Sequence, residues 1–98
     1  MEMVFLEIVF DAGDLSRSGS DRDAIETALD KALSDAGLGV VTGGGTGRYA
    51  SIVEVEIYDS SKLEQGLQLI RRTLTSANAP PSTLIKGSQP EKLVIRLG

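Results

Sequence analysis

The 98-residue chain contains neither histidine nor cysteine. Its chemistry is therefore left to carboxylates, amines, guanidinium groups, hydroxyls and two tyrosines. The lack of histidine removes the side chain that most often moves protons near neutral pH and most often binds zinc. The lack of cysteine removes thiol nucleophiles, thiolate metal sites and disulfides. Three groupings remain that are able to carry chemistry. The first is the run Gly43-Gly44-Gly45-Thr46-Gly47 followed by Arg48. Consecutive glycine amides can form an anion nest, and the arginine can pair with a phosphate or carboxylate. No lysine follows as in a phosphate-binding loop, and the run leads into a strand where such loops lead into a helix. The run thus reads first as a flexible hairpin tip, with Gly43, Gly44, Gly45, Thr46, Gly47 and Arg48 as candidate anion contacts.

The second grouping is Asp11, Asp14, Asp21 and Asp23, gathered between the first strand and the first helix. Clustered carboxylates can hold Mg²⁺ or Ca²⁺, but the spacing lacks the alternating acids, glycine and distal glutamate of a calcium loop. Two of the four already suit a helix start, where the dipole favours negative charge. The third is Glu7, Glu54 and Glu56, which alternation places on one sheet face. Paired carboxylates perform acid/base catalysis when an apolar pocket raises one pKa. Nearby Lys92 and Arg96 would keep these ionised, so the sequence predicts no catalytic residue, no metal and no cofactor.

The elements that position these groups are marked in the sequence. From Met3 to Phe10, Val4, Leu6, Ile8 and Phe10 form an apolar face, and Met3, Phe5, Glu7 and Val9 a mixed one; a strand apolar on both sides belongs inside a sheet. Asp11 to Ser20 reads as a loop. Ser20 to Ala36 reads as a helix, with Ile25, Ala28, Leu29, Ala32, Leu33 and Ala36 in one stripe. Ser20 is expected to cap it with Asp23, and Gly37 to end it in the left-handed conformation. Leu38 to Thr42 and Tyr49 to Tyr58 read as two strands of a glycine-linked hairpin. In the second of these Ile52, Glu54, Glu56 and Tyr58 share the open face. A second helix opens at Ser60 or Ser61, with Ser61 and Glu64 as a capping box, and stops at Asn78-Ala79-Pro80-Pro81. Gly66 inside it predicts a close approach by a strand or the other helix. Thr83 to Lys86 is a candidate short strand, Gly87 to Pro90 a turn, and Glu91 to Leu97 the last strand.

This order of elements predicts one α+β domain over residues 1–98. It is expected to be a ferredoxin-like βαββαβ plait: a four-stranded antiparallel sheet in the order 4-1-3-2, with two helices on one face and room for a short fifth strand. Fourteen acids against ten bases argue against nucleic-acid or anionic-membrane partners. No apolar run reaches the length of a bilayer span. No basic start precedes Val4, so a cytoplasmic chain is expected. The open face carries large apolar groups among opposite charges. Met3, Phe5, Glu7, Ile52, Glu54, Glu56, Tyr58, Val94 and Arg96 are therefore the candidate interaction surface.

Plait folds host many activities. Arg48-Tyr49-Ala50-Ser51-Ile52-Val53 lacks the base-stacking aromatics of an RNA-recognition motif, and Asp11-Ala12-Gly13-Asp14 is acidic where acylphosphatases carry a phosphate loop. The segments Val41 to Gly47, Ile52 to Val55, Gly66 to Leu74 and Ala79 to Thr83 resemble small uncharacterised bacterial proteins, some of which accompany toxins as immunity partners. That resemblance implies the plait and a bacterial cytosolic setting, and carries no catalytic group across. The function expected is a non-enzymatic interaction module that binds a protein or itself as a homodimer. The alternative is a regulatory domain binding a small ligand near the Asp11 to Ser20 segment or Arg48.

Overall fold

The computed structural model describes residues 2–89 and 92–98. Its elements run β1 (Val4–Asp11), α1 (Ala12–Ser18), α2 (Arg22–Asp35), β2 (Gly39–Thr46), β3 (Ala50–Ile57), a 3-10 turn (Ser60–Lys62), α3 (Leu63–Ser76), β4 (Leu84–Gln89) and β5 (Leu93–Arg96). The strands form a five-stranded sheet in the order β2-β3-β1-β4-β5, with every neighbouring pair antiparallel. The chain is thus an α+β fold, and it departs from the expected four-stranded order. The chain's last strand was expected beside β1, but β4 lies there and β5 is the edge. The physical reason is length: Leu84–Gln89 has six residues to pair and continues through the expected Gly87 turn, whereas Leu93–Arg96 has four. Pro90 and Glu91, at the end of that expected turn and the start of the expected last strand, lie outside the described residues.

One side of the sheet is the core. Val4, Leu6, Ile8 and Phe10 of β1 pack with Val53, Val55, Ile57 and Ile85, under Ile25, Leu29 and Leu33 of α2 and Ile70 and Leu74 of α3. Strand alternation fixes this division, since successive side chains point to opposite faces. Gly66 marks where α3 comes closest. A Cβ there would sit 2.8 Å from Ile57 Cδ1, so of the two expected alternatives, a strand or the other helix, the approach is to a strand.

Helix ends are settled by local hydrogen bonds. The expected loop from Asp11 to Ser20 is instead the short helix α1. The Asp11 carboxylate accepts the Asp14 N–H at 2.9 Å, Arg17 pairs with Asp14 one turn on, and Leu15 is buried. Ser20 does not cap α2. Asp21 is its N-cap, while the Ser20 hydroxyl donates to the carbonyls of Ala77 and Asn78 and ties the helix starts and ends together. Both long helices close alike: Leu38 N–H reaches Leu33 O and Gly37 N–H reaches Ser34 O, as Ala79 N–H reaches Leu74 O and Asn78 N–H reaches Thr75 O. This pattern needs a left-handed residue after the cap, and Gly37 (φ 68°) and Asn78 (φ 63°) supply it. Asn78 therefore ends α3 before either proline is reached. At the other end of α3, Asp59 caps the 3-10 turn in place of Ser61, accepting from Ser61 N–H at 3.0 Å and Ser61 Oγ at 2.9 Å.

The glycine run also corrects an expectation. Gly43, Gly44 and Gly45 lie within β2, opposite Glu54, Val53 and Ile52, after a register shift between Val41 and Gly43. Thr46 still pairs with Ser51, so the turn is confined to Gly47, Arg48 and Tyr49. Gly44 has φ 153°, and a Cβ there would collide with the Arg22 guanidinium and the Ile52 carbonyl. The glycine leaves the space through which Arg22 Nε donates to Ile52 O at 3.2 Å, while Arg22 Nη1 meets Asp23 and Glu26. Within the run, Gly44 is the position that seats an arginine from α2 on the edge of the sheet.

Candidate functional site

The face of the sheet away from α2 and α3 carries most of the residues singled out for chemistry. Phe5, Glu7 and Val9 of β1 stand on it between β3 and β4. Phe5 lies opposite Glu56, Glu7 opposite Glu54, and Val9 opposite Ile52. On the other flank Glu7 lies opposite Lys86 and Val9 opposite Leu84, and β5 adds Val94 beside Lys86 and Arg96 beside Leu84. Met3, Phe5, Tyr58 and Val94 are exposed large hydrophobics, with Val94 68% exposed. The fold thus brings the predicted Met3, Phe5, Glu7, Ile52, Glu54, Glu56, Tyr58, Val94 and Arg96 onto one side of the sheet.

The electrostatic pairing within this face differs from expectation. Lys92 and Arg96 were expected beside Glu7, but Lys86 holds that place. Directly opposed like charges such as Glu7 and Glu54 disfavour the sheet, and a cation on the far side of Glu7 offsets that repulsion. Lys86 and Leu84 are the face residues that reading the sequence missed. The alternation Leu84-Ile85-Lys86 was the available signal, since Ile85 is fully buried and its neighbours must point the other way. An open depression of about 490 Å³ lies over this flank, lined by Glu7, Lys86, Gly87, Lys92, Leu93 and Val94.

The other candidates are dispersed or already engaged. In β2 successive N–H groups alternate in direction, so Gly43, Gly44 and Gly45 do not converge their amides on one anion. Arg48 lies at the turn with its guanidinium 5.9 Å from the Tyr49 ring centroid. Of the acids near α1, the Asp11 carboxylate caps that helix and Asp23 meets Arg22, while Asp21 holds the N-cap position of α2 without a side-chain capping hydrogen bond. Asp14 accepts from Ser82 Oγ at 2.6 Å and pairs with Arg17. The Ser82 hydroxyl first, and Arg17 second, hold its carboxyl below the usual carboxylate range. These residues border a second depression of about 410 Å³ whose lining includes Asp14, Arg17, Ser82 and Arg96. Among the described residues no group of three or more His, Cys, Asp or Glu is placed to hold a metal ion. No described helix is long and apolar enough to cross a membrane.

No protein-family model matches the chain, and no curated protein sequence matches it. Among solved structures the chain is similar to part of a hydantoinase/carbamoylase family amidase from Burkholderia ambifaria, at 10% identity and a TM-score of 0.51. The match covers 96% of this chain and 29% of that one. The likeness is one of fold alone: this arrangement of strands and helices recurs as a minor part of a larger enzyme.

Proposed function

We propose that the chain is a non-enzymatic protein-interaction module that works through its open sheet face. A single observation carries this reading. One face of the sheet packs its apolar side chains against α2 and α3, while the other leaves Met3, Phe5, Tyr58 and Val94 exposed among charges of both signs. Large apolar groups concentrated on one face, bordered by charge, are the composition of a contact surface. The fold reading that goes with it is a ferredoxin-like plait, β2-β3-β1-β4, extended at its edge by β5. Partnership with a toxin, as an immunity protein, falls within the same reading.

Photocrosslinking from the two sides of the molecule tests it. Phe5 replaced by photoreactive benzoylphenylalanine should give a covalent adduct to a polypeptide in cells of the native host. The same group at Gln68, exposed on α3, should not. Equal yields from the two positions would remove the reading.

A second reading rests on the depression beside α1, where Arg17, Arg96 and Ser82 surround Asp14. Two guanidinium groups there suit a small carboxylate or phosphate ligand, and the chain would then be a ligand-binding regulatory domain. A ligand at 100 times its Kd would stabilise the fold by about 2.7 kcal/mol. Thermal melts unmoved by dicarboxylates and phosphate esters would remove this alternative.

A further inference from the structure

We propose that the occupant of the open face is a second copy of this chain, seated sheet to sheet about a two-fold axis that runs along the strands between β1 and β4. The proposal rests on the interaction-module reading and adds the partner and its register.

The charge pattern of the face carries it. The acids Glu7, Glu54 and Glu56 lie on β1 and β3, and the bases Lys86 and Lys92 lie on or next to β4 and β5. Arg96 of β5 has its Nε donating to Pro81 O at 3.3 Å and lines the depression beside α1. Asp11, at the end of β1, has its carboxylate engaged in capping α1. The described part of the face is thus divided by sign across the strand direction.

A two-fold axis along the strands reverses the order of strands across the interface but leaves position along them unchanged. With the axis between β1 and β4, β1 of one copy lies over β4 of the other, and β3 lies over β5. Glu7 and Lys86 share one cross-strand row, so Glu7 meets Lys86 of the second copy and the same pair forms again across the axis. Val9 and Leu84 share the next row and give two apolar contacts beside the charged ones. An axis through β1 would set Glu7 against itself, and an axis across the strands would set acids over acids. Such juxtapositions are costly. The charge pattern therefore selects one arrangement.

The size of the face is close to what a specific contact needs. Strands about 4.8 Å apart with a rise of about 3.4 Å per residue give the four strands β3, β1, β4 and β5, of 8, 8, 6 and 4 residues, roughly 420 Å² of plan area. Two copies together reach about 850 Å² before the relief of the side chains is added, near the roughly 1,000 Å² that a specific interface must clear. The depression bordered by Glu7, Lys86 and Val94 lies beside the axis, with room for the second copy's side chains.

Charge reversal with mixing tests the arrangement. The wild-type chain should have twice the chain mass by light scattering at micromolar concentration. Glu7→Lys alone and Lys86→Glu alone each set like charges together twice across the axis, and each should weaken self-association at least tenfold. Mixed in equal amounts, the two variants should form a heterodimer. Both variants lack the pair within the chain, so this recovery reads only contacts between chains. A wild-type monomer at all concentrations overturns the proposal. So do single variants that remain dimeric, or folded variants that fail to combine on mixing.

Should either variant fail to fold, the exposed Val94 supplies the test, because it would lie over Glu54 of the second copy. Val94→Glu should then weaken association at least tenfold more than Val94→Lys, and equal effects overturn the proposal. The crosslinking outcome separates this inference from its premise. Adducts from position 5 to a different polypeptide alone remove the second copy and leave the interaction module standing. The absence of adducts above those from position 68 removes both.

Discussion

Two phenylalanines on β1 show what separates the two sides of this sheet. Phe10 is 0% exposed beneath the helices, whereas Phe5, on the opposite face of the same strand, is 40% exposed. The covered face is uniformly aliphatic or aromatic along β1, and its partners come from α2, α3, β3 and β4. The open face alternates large apolar groups with charges from row to row. A covered face stabilises the fold through continuous burial, at roughly 25 cal/mol per Å² of apolar surface. The open face contributes little in the isolated chain, so its apolar groups are free to contribute to binding. Under the proposed function, stability and recognition fall to opposite sides of one strand.

The largest expected effect breaks this comparison most directly. Phe10→Ala should destabilise the chain by about 3–5 kcal/mol. Phe5→Ala, measured where the chain is monomeric, should cost about 1 kcal/mol or less. Similar costs in urea unfolding would mean that the two faces are not divided as described.

The glycine run offers the next contrast. Gly44→Ala forces a side chain into positive φ and against Arg22 and the Ile52 carbonyl, which should cost about 1–3 kcal/mol. Gly45→Ala meets nothing within 4 Å, and should be neutral or gain up to about 1 kcal/mol from reduced freedom of the unfolded chain. Equal effects would show that Arg22 is not seated through Gly44.

A smaller effect concerns the covered interior. Thr83 is 0% exposed, and its hydroxyl has no hydrogen-bond partner among the described residues. Thr83→Val keeps the shape and removes the unpaired group, and should raise stability by about 1 kcal/mol. A loss on this change would reveal a partner for the hydroxyl.

The smallest effect lies at the exposed caps. The Ser61 N–H first, and its hydroxyl second, hold the Asp59 carboxyl below its usual range. A carboxylate depressed in the folded state contributes stability above its unfolded pKa, and that contribution is lost as pH falls through the folded value. Acid titration from neutral pH to below the carboxylate range should therefore destabilise the wild type more than Asp59→Asn. Identical pH slopes would remove the cap.

Much of this was legible without a structure. Periodicity identified the stripe of α2 and the alternation of β1 and β3, because burial imposes periods of 3.6 and 2 on any chain that folds around one core. Gly37 and Gly66 announced a left-handed turn and a close approach. The open-face residues of β1 and β3 followed from alternation alone. Short elements were not legible. Helix α1 is too brief for a periodic stripe, and what establishes it is a carboxylate cap from Asp11 and an ion pair from Asp14 to Arg17. The strand of the glycine run escaped notice because glycines carry no side chain from which alternation can be read. Its Gly44 is explained by Arg22, 22 positions away in sequence.

The sequence by itself determined which side chains face the core and which face outward, because that depends only on local period. Tertiary structure alone decided which of the last two strands lies beside β1. Whether β4 or β5 lies beside β1 depends on competing long-range pairings, in which the longer β4 prevails, and Gly87 concealed that length. That decision places Lys86 beside Glu7 and divides the open face into an acidic and a basic half. The surface was thus written in alternation, and its charge map in topology.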